Sequence, residues 1–212
     1  MALAHHCNRA LTEPDGLLLG WTGKLAKPCA SAWAQGFALP GRRDTGPAPR
    51  YRSTMKYSQP AVLFVCLGNI CRSPLAEAAF RHHAERAGLA AQADSAGTGN
   101  WHVGHGPDPR ARAEARRHGI DIDGYRARQV QAQDFSRFSH IFALDGNNLA
   151  DLQRIRPAGA SAALGLLMDV VPGCEGQPVA DPYYGGAEDF ARTWAEVAAA
   201  AQALVERLRA GR

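Results

Sequence analysis

The chain has 212 residues, 46% of them hydrophobic, with a formal net charge of +4. That length suits one domain with a sizeable core, and no apolar run approaches the ~18 residues a membrane span needs. The positive charge sits in residues 1–54, with seven Lys/Arg against three Asp/Glu, while residues 55–212 hold seventeen of each, so the basic balance argues for no nucleic-acid partner.

Residues 1–54 are rich in Gly, Pro, Ala and Arg and keep no helical or strand period. They read as a disordered or non-native extension, with Met55 as the true start and the working domain at 57–210. A targeting segment is the rival reading, but the acids and scarce Ser suit a transit peptide poorly, and Leu17–Trp21 is too short for a signal-peptide core. The cysteines are Cys7, Cys29, Cys66, Cys71 and Cys174, an odd count at irregular spacing. They argue against a disulfide scaffold and predict a reducing compartment, the cytoplasm.

From residue 60 the pattern becomes regular. Ala61–Val65 is a continuous apolar run, as expected of a strand buried on both faces. Ser73-Pro74 predicts a helix start, with Ser as N-cap and Pro at the first helical position. Leu75, Ala78, Ala79 and Phe80 form the inner face of that helix, and Gly88 ends it. Ala91–Ala96 is the second strand, followed by the loop Gly97-Thr98-Gly99-Asn100-Trp101. Asp108-Pro109 repeats the cap-then-proline start, and His118-Gly119 closes that helix. Phe135 and Phe138 lie on or beside a short helix. His140–Leu144 is a third strand, and the helix Asn147–Arg156 stops at Pro157. Ala163–Val170 is a fourth strand, and a long helix from about Ala187 to Arg209 carries Phe190, Trp194, Val197, Leu204 and Leu208 at helical spacing. Strands alternating with helices predict a four-stranded parallel sheet with helices on both faces, doubly wound and flavodoxin-like. Sites in such sheets lie beyond the carboxyl ends of the strands.

One such end carries VCLGNICRSP, residues 65–74. A loop between a strand and a helix N-terminus turns its backbone N–H groups inward and makes an anion nest. Gly68 allows a tight turn, and Asn69 tolerates the left-handed conformation. The amides of Leu67, Gly68, Asn69, Ile70 and Cys71 form the cradle, and Arg72 offers a fork matched to two phosphate oxygens. Cys66 at the floor of that nest is a nucleophile for phosphoryl transfer, with the Ser73 hydroxyl within reach of its sulfur. Three rivals are weaker. A nucleotide P-loop wants Gly-Lys-Ser/Thr where this chain has Cys71-Arg72-Ser73. A zinc site at Cys66 and Cys71 lacks two partner ligands. An isolated cysteine is by default a small buried hydrophobe.

A thiolate attacking a phosphate monoester needs an acid for the leaving oxygen. Asp181, in Asp181-Pro182-Tyr183-Tyr184-Gly185-Gly186, is the candidate, against the plain alternative of a turn aspartate. Tyr183 and Tyr184 can wall a pocket for an aromatic ring.

These residues match a pattern. The chain resembles the low-molecular-weight protein tyrosine phosphatases through VLFVCLGNICRSPLAEAAFR at 62–81, DSAGTGNWHVG at 94–104, RHGI at 117–120, FSHIFALDGNNLADL at 138–152 and DPYYGG at 181–186. The likeness covers residues 57 to 209 and none of 1–54. It departs from the family at Phe142-Ala143-Leu144-Asp145, where a Met-Asp pair is common. The resemblance implies a metal-independent enzyme without cofactor, in which Cys66 forms a phosphocysteine, Arg72 binds phosphate, and Asp181 acts as general acid and then as base. It implies that Asn69 props the loop in a network including Ser95, His118 and Asp145, and that Trp101, Tyr183 and Tyr184 grip the substrate ring. It suggests a reversible Cys66–Cys71 disulfide, which the spacing only permits. It also implies phosphotyrosine proteins as partners, a bacterial tyrosine kinase among them, no membrane insertion, and a monomer or weak dimer. An arsenate reductase shares the loop but needs a further cysteine relay, and the domain offers only Cys174 beyond Cys66 and Cys71. A phosphotyrosine-binding module without turnover is the third reading.

Overall fold

The computed structural model describes residues 59–211, so the leading segment 1–54 lies outside the described residues. Strand β1 spans Ala61–Cys66, and all six of its residues are buried. Helix α1 (Arg72–Arg86), strand β2 (Gln92–Gly97) and helix α2 (Pro109–Arg117) follow. Then come the short helix α3 (Asp134–Arg137), strand β3 (His140–Ala143), helix α4 (Gly146–Ile155), strand β4 (Ala163–Leu166) and helix α5 (Ala187–Ala210). The strands lie in the order β2-β1-β3-β4, every pair parallel. This is the predicted flavodoxin-like winding, and the order reverses between β1 and β3.

Successive side chains of β1 feed opposite cores. Val62, Phe64 and Cys66 join the larger cluster with Leu75 and Phe80 of α1 and Phe190 and Val197 of α5. Leu63 and Val65 join the other, with Phe135, Ile141 and Leu152. A strand buried on both faces explains why the sequence from 61 to 65 shows an unbroken apolar run rather than alternation. Helix α1 packs on α5, which also contacts α2. Among the described residues, no helix is long and apolar enough to cross a membrane.

The helix signals act largely as expected. Asp108 caps α2 by accepting from the Arg110 N–H at 2.8 Å, with Pro109 behind it. Gly88 and Gly119 take φ of +63° and +75° beyond the ends of α1 and α2, where a Cβ is disfavoured. The fourth strand is shorter than expected: extended chain stops at Leu166, and Leu167–Val170 winds into a 3-10 turn. A strand would have alternated its side chains, whereas this turn buries Leu167, Met168 and Val170 together in the larger core. An apolar run alone does not distinguish the two.

Candidate active site

The β1 strand ends at Cys66, and α1 begins at Arg72, so residues 67–71 form a loop at the carboxyl end of the sheet, at its switch point. Asn69 takes a φ of +55° there, the one non-glycine with positive φ among the described residues. That turn aims the Asn69 N–H at the Cys66 Sγ, 3.3 Å away. Gly68 does not supply the left-handed turn. Its lack of a side chain matters for another reason: a Cβ there would meet the His102 ring at 3.0 Å. Gly97, paired with Cys66 in the sheet, is needed still more, since its Cβ would stand 2.8 Å from the Leu67 carbonyl oxygen.

The Ser73 hydroxyl lies 3.0 Å from Cys66 Sγ, accepts from Asn69 Nδ2 at 3.0 Å, and sits 3.3 Å from the Ala96 carbonyl. It is therefore not the helix cap that the Ser-Pro pair predicted. The N-cap is Cys71, without a side-chain cap bond, and Ser73 lies inside the first turn. The helix begins at Arg72, one residue before Ser73, so the hydroxyl is turned to the sulfur and the Asn69 amide rather than to the helix end.

Asn69 donates to the Ser95 hydroxyl at 3.0 Å and accepts from the Arg128 backbone N–H at 2.9 Å. Ser95 in turn donates to the buried Glu77 carboxylate at 2.7 Å. Burial pushes the Glu77 carboxyl above its ordinary pKa, against the pull of Ser95 and Arg81. The expected Asn69 network thus holds for Ser95 but not for His118 or Asp145. His118 pairs with Glu114 at 3.0 Å and stacks on Trp194, ring centroids 4.3 Å apart, which fixes the end of α2 against α5. Asp145 caps α4 through the Asn148 N–H and binds Arg72 instead. Arg128, which also pairs with Asp94 and Asp134, and Glu77 were not singled out from the sequence. A glutamate on the buried face of α1, three residues before Phe80, was the available signal.

Arg72 is buried, and its two Nη atoms reach Asp145 Oδ2 at 2.6 Å and Asp181 Oδ2 at 2.7 Å. Burial acts to lower its pKa, but Cys66, Asp145 and Asp181 outweigh that and raise it, so the guanidinium stays charged. Cys71 is also buried, and burial, then Asp108 and Cys66, push its thiol well up, so it is protonated at neutral pH. Cys66 and Cys71 are both free thiols.

A cavity of about 220 Å³ joins Cys66, Leu67, Gly68, Ile70, Cys71, Arg72, Trp101, Asp181, Tyr183 and Tyr184, with His102 added. Of the sequence-predicted residues, Asn69 and Ser73 lie behind its floor, buried. Trp101 and Tyr184 stand exposed at the rim, and Tyr183 packs edge-on to Tyr184 at 4.9 Å. The Trp101 ring rests on Gly99, where a Cβ would fall 1.8 Å from it. The chemistry available is nucleophilic: a sulfur beside the Asn69 N–H and the Ser73 hydroxyl, a fixed cation and a carboxylate share one aromatic-walled pocket. Among the described residues, no group of three or more His, Cys, Asp or Glu could hold a metal ion.

Residues 61–212 match the family model described as low molecular weight phosphotyrosine protein phosphatase. A low molecular weight phosphotyrosine protein phosphatase of Schizosaccharomyces pombe is 47% identical over 132 residues, 61% of this chain and 84% of the relative. A low molecular weight protein-tyrosine-phosphatase of Streptomyces coelicolor is 46% identical over 153 residues, 70% of this chain and 93% of the relative. The crystal structure of a protein tyrosine phosphatase from Entamoeba histolytica superposes with a TM-score of 0.68 at 35% identity, covering 72% of this chain and 99% of that one.

Proposed function

The chain belongs to the low molecular weight phosphotyrosine protein phosphatase family, a family of hydrolases, and on that premise we propose that it hydrolyses protein phosphotyrosine through a phosphocysteine without a metal ion. The observation that carries this reading is the convergence of Cys66 Sγ, the Arg72 guanidinium and the Asp181 carboxylate on one cavity. In the first step the Cys66 sulfur attacks phosphorus, and the bond to the tyrosine oxygen breaks. Protonated Asp181 gives its proton to that oxygen. Arg72 and the loop amides hold the equatorial oxygens, so catalysis is positioning and charge stabilisation. In the second step Asp181 takes a proton from water, the water oxygen attacks phosphorus, and the sulfur leaves as thiolate toward the Ser73 hydroxyl. Trp101, Tyr183 and Tyr184 flank the tyrosine ring, while Leu67, Gly68, Asn69, Ile70 and Cys71 form the phosphate cradle.

Residues 57–210 carry this activity, and 1–54 are dispensable for it. The substrates we infer are phosphotyrosine proteins, a tyrosine kinase among them. The test is hydrolysis of a phosphotyrosine peptide by the full chain in excess chelator, beside the Cys66→Ser protein. Chelator-resistant turnover that vanishes in Cys66→Ser is expected. Turnover retained by Cys66→Ser, or lost to chelator, would sink the reading.

A further inference from the structure

Asp181 works only if its carboxylate stands at the leaving oxygen, and its loop is anchored from two sides. On the near side, α5 holds Ala180: its N–H donates to Glu196 Oε2 at 2.7 Å, and its carbonyl accepts from Thr193 Oγ1 at 3.0 Å. On the far side stands Arg110, in the first turn of α2. Its Nη1 donates to the Gly185 carbonyl at 2.8 Å and its Nη2 to the Tyr183 carbonyl at 3.0 Å. The same guanidinium grips both oxygens of Asp108, Nε to Oδ1 at 3.0 Å and Nη2 to Oδ2 at 2.8 Å. Its carbon lies 4.8 Å from the centroid of the buried Phe190 ring. Asp108 in turn donates its backbone N–H to the Ile70 carbonyl at 2.8 Å, inside the phosphate cradle.

A continuous path therefore runs from the cradle through Asp108 and Arg110 to two carbonyls, Tyr183 and Gly185, that follow the Asp181-Pro182 step. Among the described residues, the other hydrogen bonds of 181–186 are internal or reach the first turn of α5: Tyr183 N to Asp181, Gly185 N to Pro182, Gly186 N to Asp189, and Phe190 N to Gly186. Those bonds shape the turn, and the one direct tie of its side chains to the cradle, the Asp181 Oδ2 ion pair with Arg72 Nη2 at 2.7 Å, uses the guanidinium that a bound phosphate engages, which leaves Arg110 to hold the loop when substrate is present. A planar fork with donors on several edges can hold two carbonyls and a carboxylate in fixed relation, which a lysine cannot.

We propose that Arg110 is the positioning residue of the general acid, setting the distance between the Asp181 carboxylate and the phosphate cradle. The proposal rests on the reading of Asp181 as acid above. Its loss weakens proton delivery to the leaving group and spares the attack of Cys66 on phosphates whose leaving group needs no proton.

The test is kcat/KM of the full chain across aryl phosphates from dinitrophenyl, a good leaving group, to phenyl, a poor one. The proteins compared are the wild type, Asp181→Asn, Arg110→Met, Arg110→Lys, and Arg110→Met combined with Asp181→Asn. Arg110→Met is expected to lose about 100-fold on phenyl phosphate, within the usual range of a general acid, and little on the dinitrophenyl ester. Arg110→Lys falls between, and adding Asp181→Asn to Arg110→Met costs nothing further. A loss equal on every ester, or none at all, would overturn the proposal. If Arg110→Met does not fold, Arg110→Lys decides the same question, because a cation remains but the fork does not. A shallow leaving-group dependence in Asp181→Asn itself would show instead that the acid assignment is wrong, and the proposal would fall with it.

Discussion

The Ser73 hydroxyl has one proton and two acceptors within reach, Cys66 Sγ at 3.0 Å and the Ala96 carbonyl at 3.3 Å, while Asn69 donates to its oxygen. With the sulfur charged, the proton belongs on the shorter contact, and hydrogen bonds to charged groups are the strong ones. Once the sulfur carries a phosphoryl group, the carbonyl is the alternative acceptor. Under the proposed phosphocysteine mechanism, Ser73 is therefore expected to act chiefly when the thiolate must leave. Ser73→Ala should slow hydrolysis of the phosphocysteine by roughly tenfold, the worth of one charge-assisted bond. Stopped-flow release of a phenol would then show a burst equal to the enzyme concentration, and a uniform slowing without a burst would refute this role. The sequence showed both this contact and a helix cap for Ser73, and the cap falls to Cys71 because the helix already begins at Arg72. Which one wins depends on where β1 ends relative to α1, a three-dimensional fact that spacing does not contain. Arg128 and Glu77 were missed for a related reason: each acts on the site through Asn69 or Ser95, and neither lies within a recognisable motif.

At the scale of elements, β1 and β2 hold the cradle from below. Cys66 pairs with Gly97, and the missing Cβ of Gly97 leaves room for the backbone of Leu67, Gly68 and Asn69. All three obstructing atoms are backbone, so none can rotate away. Gly97→Ala should push the loop off Cys66 and cost on the order of 100-fold in kcat/KM, as misplacements near 1 Å do. Normal kinetics in a folded Gly97→Ala protein would contradict that. The β3 strand opens with His140, whose Nδ1 lies 2.8 Å from Ser139 Oγ and whose pKa burial lowers from 6.5. The unfolded chain takes up a proton near 6.5 while the fold refuses it until lower pH. Its share of stability is therefore present above 6.5 and is lost as pH falls through the folded value. Denaturant melts of His140→Gln between about pH 7 and pH 5 should show a shallower decline than the parent, and parallel curves would count against it. Strand and helix positions were largely legible because β1 is apolar on both faces and the caps at Asp108, Gly88 and Gly119 act locally. The end of β4 was not, because a 3-10 turn and a strand draw on the same apolar residues.

The whole molecule is organised by its last helix. Residues of α5 supply Phe190, Trp194, Val197, Ala200, Ala201, Leu204 and Val205 to the larger core, and α5 packs on α1, which starts at Arg72. A chain beginning at Met55 should keep the kcat/KM of the full chain, since the family model begins to match at residue 61. A drop on removing 1–54 would assign that segment a role. A chain ending before Ala187 should instead fail to fold, seen as loss of a cooperative melt.

The same arrangement sets when the enzyme can come into being. The sulfur and the arginine emerge within the first strand and helix of the domain, but the carboxylate that completes them is seated by Thr193 and Glu196 near the far end of the chain. A nascent chain on the ribosome carries Cys66 and Arg72 long before it carries a seated Asp181. A protease that clips α5 should therefore silence the product rather than leave a half-competent fragment, since it removes the Thr193 and Glu196 bonds to Ala180.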